Sequence, residues 1–154
     1  MNLSLQAVVA AALVLNLLTP PAQGLDTNRP ETQLRQDVLI QNERFRVTWN
    51  RNSPTQNLPL FASNFEARFP GAPPIRDKET LRQAYVQLFS TQLHLEFTRV
   101  VTTRIARRRY RTRNFFRVTD RGATPPTSRT GTITFTWEFR GAIPRIVLDV
   151  TRFD

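Results

Sequence analysis

The sequence predicts an α+β domain with N-terminal helices packed on one face of a curved antiparallel sheet. Two observations predict this class. Helix-like apolar spacing is confined to the chain before Ser90, and four strand-like segments follow it. Turn residues separate these four segments at the spacing of hairpins. Helices that precede a run of hairpin-connected strands are typical of α+β domains.

The first helix is predicted from residue 31 to about residue 50. A strand is the alternative for residues 45–49, where apolar and polar residues also alternate. The helix is favoured because its apolar stripe begins earlier and continues over several turns. The stripe consists of Leu34, Val38, Phe45 and Trp49. A short helix near residues 58–61 should then lead into the first strand.

A strand, a proline-rich turn and a capped helix should follow. Phe65, Ala67 and Phe69 alternate with charged residues, as in a half-buried strand. Prolines between residues 70 and 74 then break the chain. Asp77 can cap the next helix, because its carboxylate accepts a hydrogen bond from a first-turn amide. The apolar stripe predicted for that helix consists of Leu81, Tyr85, Leu88 and Phe89.

Four further strands complete the predicted sheet. They span residues 93 to about 107, 110–119, 131–139 and 145–153, with a loop at 120–129. The third of them is the most regular, since apolar side chains alternate with threonines along it. In the last strand, the same alternation predicts one face that carries Ile146, Leu148 and Val150.

Residues 1–24 are predicted to be a cleaved signal peptide, which leaves residues 25–154 as the domain. An uncharged apolar run ends at Leu18, and the small residues Ala22 and Gly24 precede the predicted cleavage site. The run of about 16 residues is shorter than the ~20 that a membrane-spanning helix needs. We therefore expect a secreted protein without a stable membrane span, with an uncleaved anchor as the alternative. The absence of cysteine excludes disulfides and thiol nucleophiles.

Arginine is the most unusual feature of the composition. Of 22 basic residues 21 are arginine, and the net charge is +10. Seven arginines fall within 14 residues, interleaved with aromatic side chains. They are Arg104, Arg107, Arg108, Arg109, Arg111, Arg113 and Arg117. On an unbroken strand the odd-numbered residues from 107 to 113 would share a face, whereas a hairpin turn within the run would reset the parity.

This run predicts a binding site for a sulfated or phosphorylated polyanion. Guanidinium groups bind both oxyanions in a bidentate manner, and neighbouring rings can stack on bases. Nucleic acid is the weaker expectation, because a secreted protein rarely meets it. The alternative is a charged sheet edge that prevents pairing with other chains.

The order of elements and several short stretches resemble the NTF2-like superfamily, which includes nuclear transport factor 2, SnoaL-like cyclases, ketosteroid isomerases and scytalone dehydratase. The stretches that carry the resemblance are residues 49–52, 61–65, 69–76 and 77–81. The resemblance covers essentially residues 31–154. It implies a cone-like fold with an apolar pocket in its concave interior. Small secreted proteins without an assigned activity also belong to this superfamily.

The resemblance does not bring a catalytic set with it. Ketosteroid isomerases carry their general base, an aspartate, just before the proline of this turn, where this chain has Phe69. Their tyrosine on the first helix is also missing. His94 is the only histidine, so the aspartate–histidine set of the dehydratases is incomplete. We therefore expect a binding module, and the alternative is a small-molecule enzyme that uses His94 with Glu96 or Glu66.

Neither a metal nor a cofactor is expected, because one histidine and scattered carboxylates supply no ligand set. Glu66 and Glu138 are expected to pair with arginines such as Arg68 and Arg140, with a place in the lining of a cavity as the alternative. The predicted partners are a small apolar ligand, a polyanion and a second copy bound through the sheet. The pocket is predicted from six aromatic residues, with filling of the core as the alternative role. These six are Phe45, Trp49, Phe69, Tyr85, Phe135 and Trp137.

We expect the exported protein to begin at Leu25, because the apolar run and the small residues before that position fit a cleavage site. The intact mass of the protein secreted by its native host should therefore correspond to residues 25–154. A mass that includes residues 1–24, found in the soluble cytoplasmic fraction, would contradict this prediction.

Overall fold

The computed structural model describes residues 28–154, and the predicted signal peptide lies outside them. The described chain forms two α-helices, one short 3-10 helix and five strands. In order they are α1 (Glu31–Trp49), the 3-10 helix (Leu58–Leu60), β1 (Phe61–Arg68), α2 (Lys78–Leu88), β2 (Leu93–Ala106), β3 (Arg109–Asp120), β4 (Thr127–Glu138) and β5 (Arg145–Phe153). The predicted α+β class and order of elements are confirmed.

The five strands form one sheet in the order β1-β5-β4-β3-β2. Neighbouring strands are antiparallel except β1 and β5, which are parallel. The helices lie on one face, which we call the inner face; the opposite one is the outer face. α1 crosses β2 and β3, and the ring of Phe45 lies 4.6 Å from that of Phe135 on β4. The helix predicted for residues 45–49 is thus confirmed over the strand.

α2 begins at the predicted cap. Asp77 Oδ1 accepts a hydrogen bond from the Thr80 amide at 2.8 Å, which satisfies a first-turn donor. Tyr85 is buried, but Leu88 is 41% exposed, so its predicted place in the core is wrong. α2 ends at Leu88, and Phe89 fills the space instead, with its ring 5.0 Å from Trp49 and 5.5 Å from Tyr85.

Two asparagines after α1 cover part of the free edge of β2. Asn50 both donates to the carbonyl of Leu95 at 2.9 Å and accepts from its amide at 2.7 Å. Asn52 makes the same pair of bonds with Leu93, at 3.1 and 3.3 Å. An exposed strand edge is a template for unwanted pairing. These side chains therefore occupy the backbone groups that another strand would otherwise bind.

A two-residue turn, Arg107 and Arg108, connects β2 to β3. Arg108 adopts a positive φ of 58°, and its carbonyl accepts a hydrogen bond from the Phe139 amide at 3.0 Å. The turn sets the register in which Tyr110 faces inward beside Trp137 of β4. Because side chains alternate along a strand, the odd-numbered residues of β3 then face outward.

β5 contains a bulge that the sequence analysis did not predict. Thr136 pairs with Leu148 but Trp137 pairs with Ile146, so one extra residue lies between the two pairs. The expectation that Ile146, Leu148 and Val150 share a face is therefore wrong. Ile146 faces inward, the other two face outward, and Asp149 enters the interior, where it is only 2% exposed.

Truncation of Trp137 to alanine should destabilise the protein by about 3–5 kcal/mol, as for other buried large aromatics. The side chain is fully buried, and its Nε1 donates to Thr112 Oγ1 at 2.9 Å. Trp137→Phe keeps most of the volume and should cost less. Denaturant unfolding measures both, and a loss below about 1 kcal/mol for Trp137→Ala would contradict the packing.

Candidate functional site

The outer face of the sheet carries a group of arginines that we call the outer arginine cluster: Arg99, Arg111, Arg113 and Arg117. Register places them together, because Arg99 of β2 lies opposite Phe115 of β3, between Arg113 and Arg117. All four side chains are exposed. Both described helices pack on the inner face, so no described element covers the cluster.

The seven arginines predicted as one site are divided by the turn. Arg111, Arg113 and Arg117 belong to the outer cluster. Arg107 lies in the turn itself, and the Nη2 of Arg108 donates to the carbonyl of Gly141 at 3.1 Å. The other two form ion pairs, Arg104 with Glu31 and Arg109 with Glu138.

Phe115 holds two members of the outer arginine cluster in place. The guanidinium carbons of Arg99 and Arg113 each lie 5.3 Å from the centre of its ring. A cation over an aromatic face at this distance gains about 0.5–1 kcal/mol at an exposed site. Within residues 28–154, no carboxylate forms an ion pair with any of the four arginines. The ring thus orders two of the four charges, and Glu96 lies opposite Arg117 on the same face without forming an ion pair with it.

A row of threonines on β4 borders the cluster. Thr130, Thr132 and Thr134 lie opposite Arg117, Phe115 and Arg113, respectively, and so share the outer face with them. Alternate residues on a strand are about 6.6–6.8 Å apart. The outer face therefore presents guanidinium and hydroxyl donors in parallel rows.

The two glutamates on the strands form the predicted ion pairs. Glu66 contacts Arg68 at 2.5 Å and Arg76 at 2.9 Å, and Glu138 contacts Arg140 at 2.7 Å. A hydrogen bond from Arg140, followed by one from Arg109, lowers the pKa of Glu138. A carboxylate held in this way stays ionised and is a poor general base.

His94 does not meet a catalytic partner from another strand. It lies on the outer face of β2 opposite Thr119, while Glu66 is on β1 at the other edge of the sheet. Glu96 projects from the same face two residues along. Burial, followed by the positive charge of Arg121, lowers the pKa of His94. No group of three metal-ligating side chains occurs among residues 28–154, and no helix there is long and apolar enough to cross a membrane.

The interior contains a hydrogen-bonded polar network that the sequence analysis missed. Asn42 of α1 donates to Asn114 Oδ1 at 2.8 Å and accepts from Thr112 Oγ1 at 3.0 Å. Asn114 also donates to the Ile133 carbonyl at 3.2 Å. Buried polar groups that are satisfied in this way fix one arrangement of a core. The alternation of β3 could have indicated them, since Thr112 and Asn114 share the parity of Tyr110.

A second buried polar group surrounds Asp149. Burial raises the pKa of its carboxyl to about 7, and Thr151 Oγ1 donates to it at 3.3 Å. Burial, followed by the charge of Asp149, raises the pKa of Tyr85 well above its usual value. Asn57, which accepts a hydrogen bond from Thr48, completes the group. A carboxyl that exchanges a proton near pH 7 inside a fold is a candidate acid or base.

No protein-family model matches the chain, and no curated protein sequence matches it either. Solved structures do. A candidate association domain of calcium/calmodulin-dependent protein kinase II from Xanthomonas campestris superposes with a TM-score of 0.69 at 11% identity, over 88% of this chain and 95% of that one. A candidate dehydratase of the NTF2-like family from Streptomyces avermitilis gives 0.67 at 14% identity, over 80% and 96%. The chain has the NTF2-like fold.

The chain also superposes on a subunit of an oligomeric enzyme. The β subunit of benzoate 1,2-dioxygenase from Burkholderia mallei superposes with a TM-score of 0.66 at 11% identity, covering 77% of this chain and 89% of that chain. These identities are too low to transfer an activity, because one fold hosts many functions. Any function of this chain therefore depends on its own side chains.

The six residues predicted to line the pocket lie in or beside the interior of the NTF2-like fold. Five of them are buried, and Phe69 is half-buried beside the core. The rings of Phe135 and Trp137 lie 5.5 Å apart. Two open clefts on the surface of residues 28–154 are lined by other residues, except that Phe69 borders one of them. The pocket stays a prediction.

We expect Asp149→Asn to remove a pH dependence of stability. The folded pKa of about 7 is above the ordinary 3.8, so the stabilisation is complete below pH 3.8 and is lost as pH rises through 7. Three pKa units correspond to about 4 kcal/mol. Between pH 4 and 8 the wild type should lose this amount relative to the variant. Parallel curves of unfolding free energy against pH would contradict the prediction.

Proposed function

We propose that the protein is a secreted, non-catalytic binding module of the NTF2-like fold that holds a sulfated or phosphorylated polyanion on its outer face. One observation carries the proposal. Four exposed guanidinium groups, those of the outer arginine cluster, share a face that the described helices leave open. The ion pairs that the described residues form involve other arginines, such as Arg104 and Arg109.

Clustering is what would make this face a binding site. A single exposed charge is screened within about 8 Å at physiological ionic strength, so scattered arginines hold a polyanion poorly. Several neighbouring guanidiniums bind one chain together and release its condensed counterions. Phe115 lowers the cost of ordering Arg99 and Arg113, because it already holds both side chains.

Charge also decides between two occupants of this face. A homodimer through the sheet would place one outer arginine cluster against another, and like charges across an interface cost several kcal/mol. Aliphatic side chains are present on the outer face, where Leu148 and Val150 are partly exposed and Val101, opposite Arg113, is 38% exposed. A polyanion therefore fits the face better than a second copy does.

A small-molecule enzyme is the second candidate, and the group around Asp149 is the observation that favours it. Its carboxyl and the hydroxyl of Tyr85 both lie in the interior of the fold. A protein of the same fold is a candidate dehydratase, so the fold is compatible with enzymatic chemistry. His94 lies on the opposite face. Such an activity would depend on Asp149 rather than on His94.

Replacing Arg99, Arg111, Arg113 and Arg117 together with glutamine should abolish most retention on immobilised heparin. The wild type should elute at a salt concentration well above that of the variant. If all four arginines contact the polyanion, the slope of the logarithm of its affinity against the logarithm of the salt concentration should also be steeper by about three. Affinity measured at several salt concentrations tests this.

A matched control keeps the change in net charge. Arg35 and Arg82 lie on the helices, Arg51 lies in the turn after α1, and Arg129 lies opposite the inward-facing Val118. Replacing these four with glutamine should therefore leave most of the retention. Asp149→Asn should also bind heparin as the wild type does. Equal loss in both quadruple variants would mean that net charge alone acts, and that result would overturn the proposed site.

A further inference from the structure

A second basic site lies at the start of β5, away from the outer arginine cluster. Here an open cleft of about 460 Å³ is bordered by Lys78, Arg140 and Arg145, with Ser63 and Pro59 beside them. Small-molecule sites typically measure about 300–1,000 Å³. The three cations come from three separate elements: α2, the β4–β5 connection and β5.

Arg145 is the residue that indicates an anion. Its Nη1 donates to the carbonyl of Pro59 at 2.7 Å, and among residues 28–154 no carboxylate forms an ion pair with it. Burial lowers the pKa of its guanidinium, and the positive charge of Arg44 lowers it further. A half-buried cation beside a like charge is costly, and a bound anion relieves that cost.

The neighbouring carboxylate does not neutralise the cleft. Glu138 is shared between Arg109 and Arg140, to whose Nε it is bound at 2.7 Å. Asp77 caps α2 through Thr80, so it is engaged as well. Lys78 and Arg145 thus remain as two positive charges at one cleft.

We propose that this cleft binds a small molecule through a phosphate monoester. A phosphate monoester carries about −1.5 to −2 charge at pH 7, which matches the two uncompensated cations. Arginine offers a fork of donors to tetrahedral oxyanions, and lysine adds a point charge. The Ser63 hydroxyl supplies a further donor at the same cleft, and Phe61 and Ala62 give one wall an apolar surface.

Titration with inorganic phosphate, at an ionic strength held constant with sodium chloride, tests the proposal. The amide NMR signals of Ser63 and Lys78 should shift and saturate as phosphate is added. Arg145→Gln should lower the affinity for phosphate at least tenfold. Lys78→Gln, a change at an exposed side chain, should weaken it several-fold even if Arg145→Gln fails to fold. Unshifted signals at Ser63 and Lys78, or unchanged affinity in Lys78→Gln, would overturn the proposal.

An outer-face variant separates this site from the polyanion site. Arg113→Gln combined with Arg117→Gln should leave the phosphate affinity of the cleft unchanged, because neither residue borders it. Conversely, Lys78→Gln should keep most of its retention on heparin. If phosphate instead shifts the amide signals of the outer arginine cluster, and if the double variant no longer binds phosphate, the cleft is not the site.

Discussion

The register between β2 and β3 is the constraint on which the rest of the structure depends. It is set by the turn at Arg107 and Arg108, and it sends Thr112 and Asn114 inward while their arginine neighbours face outward. A slip of one residue would exchange the two sets, burying guanidiniums and exposing the polar network. Such a slip would cost far more free energy than the positive φ of Arg108 does, because buried unpaired charges are among the most destabilising groups in proteins.

Elements whose signals are local could be predicted from the sequence. The cap at Asp77 and the alternation that buries Phe135 and Trp137 depend only on neighbouring residues, and both are confirmed. The bulge that turns Asp149 inward depends on how β5 pairs with β4, which no local pattern records. The turn at Arg108 also gave no signal, because an arginine replaces the glycine or asparagine that usually marks a positive φ.

The site could be predicted in composition but not in arrangement. Arginine clustering is visible in the sequence, yet only the strand register shows that Arg99 belongs to the outer arginine cluster and that Arg104 pairs with Glu31 instead. The aromatic residues of the interior pack against one another, and the pocket that the resemblance implied stays a prediction. Its notable polar group, around Asp149, lies at a position that the predicted parity of β5 placed on the other face.

The pairing of β1 with β5 has a consequence for synthesis. Phe61 lies opposite Ile146, and among residues 28–154 the first strand of the sheet pairs with no strand other than the last one. A chain still attached to the ribosome has made β1 long before β5 has emerged. Domains whose contacts are distant in sequence fold late and slowly. The complete sheet can therefore form only once β5 has left the ribosome, and until then the strand-pairing edge of β1 has no β5 to bind.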